Sequence, residues 1–193
     1  MTGSTLNMHY TIADPKTFGI SEYEPVLPIY HSGQPEDSKE HCSDLLHRLD
    51  RIDPDRLSPE NAYTYRLLHR SLENDLALAD FPYYNEPLSP SSGMQSQLPV
   101  LLAEYTFRTK RDVTDYLALL DQIDDYFASL LLYEQEKAAA GFFMPACSSE
   151  KVRKQCDTIV TTEELAQGTH FLQTTFEDRL SELQKQGLFT PEE

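Results

Sequence analysis

From Val113 onward the apolar residues fall at Val113, Tyr116, Leu120, Ile123, Phe127 and Leu130, in steps of three and four that place them on one helical face. Thr109, with Asp112 three residues on, reads as the N-terminal cap, carboxylates near that end suit the helix dipole, and Gly141 after three alanines reads as the stop. The pattern predicts one unbroken helix, about 45 Å long at ~1.5 Å per residue. A rod of that length predicts a larger body that it crosses, or a hairpin of helices packed along it.

Met8, Tyr10 and Ile12 alternate with His9 and Thr11, which predicts a short strand ended by Asp14-Pro15. A loop with one more strand follows to Pro35. Asp37 and Glu40 form a capping pair ahead of Leu45, Leu46, Leu49 and Ile52, predicting a helix from Ser38 to about Arg51. Ser58-Pro59-Glu60 starts a second helix, whose face of Tyr65, Leu68, Leu72, Leu76 and Ala79 runs to Asp80. The two make a hairpin.

Residues 81–98, rich in proline, serine and tyrosine, predict an irregular segment laid on the surface or lining a cleft, and Pro99 to Tyr105 a helical turn or two. Beyond Gly141, Phe142 to Pro145 make an apolar connection. Ser148 or Ser149 caps a helix with Val152, Cys156, Ile159 and Val160 inward, ending near Thr162 or Ala166. A last helix over Thr169 to Gln186 carries Leu172, Phe176, Leu180 and Leu183 and is closed by Gly187. Thr190-Pro191-Glu192-Glu193 repeats the start signal of Ser58, predicting a further helix and a longer parent chain. The fold class is therefore mainly α, a multi-helix array around one long central helix with a short β element near the N-terminus. Its divisions are 1–35 strand and loop, 36–80 hairpin, 81–108 irregular, and 109–187 long helix plus two further helices.

Composition narrows the function classes. At 193 residues, 39% hydrophobic and with mean hydropathy −0.51, the chain suits one domain with a modest core. Its 32 acidic and 16 basic residues give a charge of −16, which argues against nucleic acid as a partner. The one basic cluster, Arg108, Lys110 and Arg111, is short. Solvated helix faces account for the acids. No run of 18 apolar residues spans a membrane, and Met1 to Thr11 lacks the order of a signal peptide, so the chain reads as soluble. Cys42, Cys147 and Cys156 are too scattered for a disulfide scaffold or zinc site; a Cys147–Cys156 bridge stays open, and buried thiols are the main reading.

Candidate chemistry is sparse. The zinc-hydrolase spacing HExxH is absent, and His41 and His47 fall on different helical faces. His69 and Glu73 share a face and offer two metal ligands, but such pairs are more often surface contacts. There is no GxSxG, Ser91-Ser92-Gly93 reads as a turn, Cys42 beside His41 diverges from it on a helix, and the seven glycines form no phosphate loop. Asp124 and Asp125 lie on the wet side of the central helix. No catalytic, cofactor-binding or metal residue is assigned. The aromatic group Phe81, Tyr83 and Tyr84 points to peptide or sugar stacking, or to plain packing, and the cleft-lining candidates are Tyr83, Tyr84, Ser89, Gln95 and Gln97.

Three segments carry a resemblance: HYTIADPKTFGI (His9 to Ile20), the run from Glu86 to Leu120 with its LSPxxGxQxxLP core (Leu88 to Pro99), and EKAAAGFFMP (Glu136 to Pro145). They resemble the bacterial family known as domain of unknown function 885. The resemblance implies a predominantly helical, longer parent, often a lipoprotein or exported to the cell envelope, similar to zinc metallopeptidases with HExxH in the C-terminal half. No residue here matches that motif, so no metal or catalytic role is carried over. It implies a non-catalytic, cleft-forming N-proximal part of a hydrolase, with a peptide substrate and zinc belonging to the parent. Its partners would be the missing C-terminal half or a second copy. The competing class is a free-standing helical interaction protein without enzymatic activity.

Overall fold

The computed structural model describes residues 5–30 and 34–190. Among them the regular structure is helical: α1 (Thr5–Thr11), α2 (Gln34–Leu49), α3 (Pro59–Leu78), α4 (Met94–Ala103), α5 (Lys110–Leu120), α6 (Ile123–Ala139), α7 (Ala146–Ile159), α8 (Thr162–Gln167) and α9 (Phe171–Lys185). No helix among the described residues is long and apolar enough to cross a membrane.

Several expectations are corrected. The predicted strand at Met8 to Ile12 is the helix α1. Leu6, Met8, His9 and Ile12 are buried while Tyr10 is exposed, and those spacings of three and four outweigh the apparent alternation. The second strand expected before Pro35 is absent among the described residues, although the chain there is extended. From Tyr23 to Tyr30 it lies along α5 and α6 as a strap. Arg111 donates to the Tyr23 carbonyl (2.7 Å), Leu27 N–H donates to Gln122 Oε1 (3.0 Å), and Tyr30 N–H donates to Ser129 Oγ (3.1 Å). Tyr23 also donates to Asp115, and the seven steps from Tyr23 to Tyr30 cover roughly 23 Å when extended, while the fourteen from Asp115 to Ser129 rise about 21 Å, so the two run in step. Side chains, rather than a neighbouring strand, satisfy this backbone.

The single long helix is also corrected: α5 and α6 are separated at Asp121 and Gln122. Both residues stay right-handed, but Gln122 N–H reaches back only to Leu119. The Gln122 side chain donates to the carbonyls of Pro25 (2.9 Å) and Ala118 (2.8 Å), pinning the strap to the joint. The expected cap is present, with Thr109 and Asp112 forming a capping box. Gly141 ends α6 with φ of +87°, a conformation that favours glycine.

In the hairpin, Ser58 caps α3 as expected, whereas α2 begins at Gln34, ahead of the Asp37–Glu40 pair. The helical turns expected from Pro99 belong to a longer helix, α4, which already begins at Met94 inside the stretch expected to be irregular, with Pro99 buried within it. Helix α7 begins at Ala146 without a Ser148 or Ser149 cap. It stops at Ile159, where Thr161 caps the separate α8. Among the described residues three helices therefore follow α6, not two. Cys147, Cys156 and Val160, expected to be buried, are exposed; both thiols are free, and only Cys42 is buried. The helix start expected at Thr190 falls, from Pro191, outside the described residues.

The core gathers Leu98, Leu102, Val113, Tyr116, Leu119, Tyr126, Leu130 and Leu183 from α4, α5, α6 and α9, with Tyr105 from the link between α4 and α5. Arg179 of α9 fastens α4 to it. Its guanidinium donates to the carbonyls of Leu102 (3.1 Å) and Tyr105 at the end of α4 and lies 4.6 Å over the Phe107 ring.

Candidate functional site

The predicted cleft segment begins where α3 ends. A 3-10 turn, Pro82–Tyr84, sets the rings of Phe81, Tyr83 and Tyr84 against the far end of α6. Tyr133 of α6 donates to the Pro82 carbonyl at 2.7 Å, and burial first, then Glu134, pushes its phenol up to about 12, so it remains a donor. Lys137, one turn further along, is only 1% exposed. Its Nζ lies 2.7 Å from Glu86 Oε1 and donates to the Asn85 carbonyl at 3.3 Å. A lysine this buried is uncommon without a partner. Here it ties the end of the turn to α6, as Tyr133 ties its start, and it sits near the helix C-terminus where a cation is also favoured by the dipole.

Glu134 stands 4.0 Å from Lys137, and its Oε1 is buried without a hydrogen-bond partner. Burial holds its carboxyl above the usual range, Lys137 opposes that, and Glu86 adds to it. The cluster is a structural clamp that holds one carboxyl above its ordinary range.

On this clamp the rings form a continuous series from core to solvent. Buried Tyr126 meets Tyr30 (6.3 Å between centroids), Tyr30 meets Tyr133 (5.4 Å), Tyr133 meets Tyr83 (6.1 Å), and Tyr83 meets Phe142 (5.9 Å). Phe142 then meets Tyr84 (5.6 Å), which meets Phe81 (5.5 Å). Tyr84 is 70% exposed, and neighbouring Phe143 is 73% exposed. The outer end is an uncovered aromatic platform on a buried, hydrogen-bonded foundation. It offers stacking surface to a ring or an extended chain; no nucleophile and base are paired in it.

The five cleft candidates divide into three places. Tyr83 and Tyr84 belong to the platform. Ser89 and Gln95 close a tight loop: Gly93 N–H (3.0 Å) and Gln95 Nε2 (2.7 Å) both donate to the Ser89 carbonyl, and Gln95 Nε2 also donates to Gln155 Oε1 of α7 (2.9 Å). A β-carbon at Gly93 would fall 2.1 Å from Gln95 Oε1 and 2.2 Å from Ser89 N, so only glycine fits. The LSPxxGxQxxLP pattern is thus a packing motif that launches α4. Gln97 stands apart, exposed on α4.

Lys137 escaped the sequence reading, but a signal for it exists. Continuing the three-and-four steps of the central stripe from Leu130 lands on Glu134 and Lys137, charges where the period calls for apolar residues.

A second polar cluster sits at the start of α5. The His9 ring stacks on Tyr105 at 3.7 Å, accepts at Nε2 from Thr106 N–H (3.2 Å), and places Nδ1 3.8 Å from Asp112. Nearby, Tyr23 donates to buried Asp115 (2.8 Å), which Arg111 also approaches (3.5 Å). His69 pairs with Asp50 (3.2 Å) and Glu73 (3.6 Å) on the hairpin surface. Among the described residues no group of three or more His, Cys, Asp or Glu is arranged to hold a metal ion. None of these clusters supplies the ligand set that a zinc ion requires.

No curated protein and no solved structure matches the chain. The family described as bacterial protein of unknown function (DUF885) matches residues 16–189, nearly the whole chain, and the chain therefore belongs to that family.

Proposed function

We propose that this chain is the non-catalytic, cleft-forming part of a larger metallopeptidase-like hydrolase, and that the aromatic platform of Phe81, Tyr83, Tyr84 and Phe142 is the wall on which an extended peptide lies. The observation that carries this reading is the burial of Lys137 beneath an exposed platform. Burying the Lys137 ammonium under surface aromatics, against a half-exposed Glu86, costs desolvation, and that cost is offset by rigid placement of the rings above it. Aromatic side chains on a fixed base take up peptide side chains with little further loss of conformational entropy. The chain supplies position and surface, and the reacting groups come from elsewhere in the larger protein.

An NMR titration with a degenerate peptide mixture tests the proposal. Shifts confined to the platform residues are expected, with their loss in Tyr84→Ser, while the chain retains no zinc after dialysis and cleaves nothing. Shifts only at other surfaces, or stoichiometric zinc together with turnover, would overturn it.

A further inference from the structure

The chain lays its own cations over aromatic rings in several places, and the platform is not one of them. Among the described residues Arg111 lies 4.0 Å over Tyr23, Arg179 4.6 Å over Phe107 and 5.1 Å over Tyr116, and Lys110 5.1 Å over Phe189, while none covers Phe81, Tyr83, Tyr84 or Phe142. The Arg111 contact is a complete unit, because its Nε is also 3.5 Å from the carboxylate of buried Asp115. At the platform the ring and the carboxylate are both in place. Phe81 and Tyr84 are 53% and 70% exposed. Glu86, two residues beyond Tyr84 and so no more than about 7 Å from it between Cα atoms, is 43% exposed.

Charge around the platform is one-sided. Residues 71–107, which include Phe81, Tyr83 and Tyr84, hold Glu73, Asp75, Asp80, Glu86 and Glu104 and no lysine, arginine or histidine. Residues 112–150, which include the supporting α6 and Phe142, hold eight acids and a single base, the enclosed Lys137. Cations are plentiful elsewhere: five arginines fall between 48 and 70, three bases at 108–111 and three at 151–154. Next to Phe81, Asp80 is matched by Lys39 of α2 in an exposed pair that cancels itself. The clamp does not cancel, because Glu86 at 2.7 Å and Glu134 at 4.0 Å share one ammonium. The excess is felt inside the clamp, where Glu86 adds to the upward push on the Glu134 carboxyl. Glu86 is the more exposed of the two acids, 43% against 24%, and is the one a ligand meets.

We propose, resting on the peptide-wall reading, that the residue which this wall selects from its peptide is an arginine, with its guanidinium stacked on Tyr84 and its N–H edge turned to the Glu86 carboxylate. A planar guanidinium does both at once, since it meets the ring with its face and the acid with the N–H groups in its plane. Lysine brings a compact, strongly hydrated charge that pairs with the acid without stacking. An acidic side chain in the same place is repelled by the unbalanced clamp. The wall then contributes sequence selection as well as position to a reaction whose chemistry lies elsewhere in the larger protein.

NMR titration of the full chain with three end-blocked pentapeptides, Gly-Gly-X-Gly-Gly with X as arginine, its neutral isostere citrulline, or glutamate, tests the selection. The arginine peptide should bind at the platform about fivefold more tightly than the citrulline peptide, the combined worth of an exposed cation–π contact and an exposed ion pair, and the glutamate peptide most weakly. Glu86→Gln, which keeps an acceptor for Lys137, should bring arginine close to the citrulline level and leave citrulline binding where it was. Equal affinity for the three peptides, or tighter binding of glutamate, overturns the selection and leaves the peptide wall standing. An arginine preference that survives Glu86→Gln overturns it too. No platform shift with any peptide in the millimolar range overturns both readings. The comparison of arginine with citrulline is made on the unaltered chain, so it decides whatever Glu86→Gln does to the turn.

Discussion

The helical body and the α2–α3 hairpin are built from the same amphipathic period, but they cover it differently. In the body, α4, α5, α6 and α9 converge so that Leu98, Leu102, Leu119 and Leu183 are almost fully enclosed. In the hairpin, leucines at equivalent spacing meet one neighbour only, and Leu67, Leu68 and Leu78 stay largely in water. A three-and-four repeat states that a face is apolar; it does not state what covers it. Enclosure comes from the number of elements that reach the face, which is a property of the topology.

The largest expected effect sharpens that contrast. Leu119→Ala, at a site with no exposure, should cost ~2–5 kcal/mol because it opens a cavity among packed helices. Leu68→Ala in the hairpin should cost less than about 1 kcal/mol. Urea unfolding of both variants at low protein concentration decides; equal losses would mean that the hairpin face is covered in the monomer. Next comes Gly93→Ala. Its backbone φ of −72° suits any residue, so the whole penalty is steric, from a methyl driven into the Ser89 backbone. A loss of ~1–3 kcal/mol is expected, with exchange protection falling first in α4.

Local chemistry was readable at several starts and stops, though not at Asp37–Glu40 or at Ser148 and Ser149. The Ser58 and Thr109 caps, the Gly141 stop and the hairpin all follow from side chains that act within one turn. Reading failed where a distant partner decides. Nothing near Gln122 announces a break, because the groups it binds lie at Pro25 and Leu27. Met8, Tyr10 and Ile12 alternate convincingly until His9 is seen to need burial against Tyr105. The candidate site was half legible. Tyr83 and Tyr84 stood out by composition, whereas Lys137 was hidden in a run that favours helix, and its role appears only when Glu86 is brought beneath the turn.

The clamp gives a prediction of intermediate size. Lys137→Met keeps most of the buried stem and removes the charge, leaving Glu86, which is half in water and rehydrates readily. The loss should be about 1–2 kcal/mol at neutral pH, below the range for a fully enclosed pair. It should shrink as pH falls, because Glu134, already above the usual carboxyl range and now without its cation, takes up a proton more easily. Hydrogen exchange should quicken at Asn85 and Glu86 and remain unchanged in the hairpin, separating the clamp from the neighbouring α3.

The smallest effect concerns the attachment of α1 to the body. Burial lowers the His9 pKa below its ordinary value of 6.5; Asp112 opposes this, Arg108 reinforces it, and Asp115 adds a weaker opposing pull. The unfolded chain therefore binds a proton at a pH where the folded chain still does not, and stability must fall as pH drops below about 6.5 toward the folded value. Above 6.5 the contribution is complete. The structural reason is that Nε2 accepts from Thr106 N–H, and a protonated ring presents a second donor there, with the Arg108 guanidinium 3.5 Å away. His9→Gln can keep an acceptor for Thr106 without titrating, so its stability should be flatter between pH 7.5 and 5.5 than that of the parent chain. Equal slopes in the two proteins would show that α1 is not held through this imidazole.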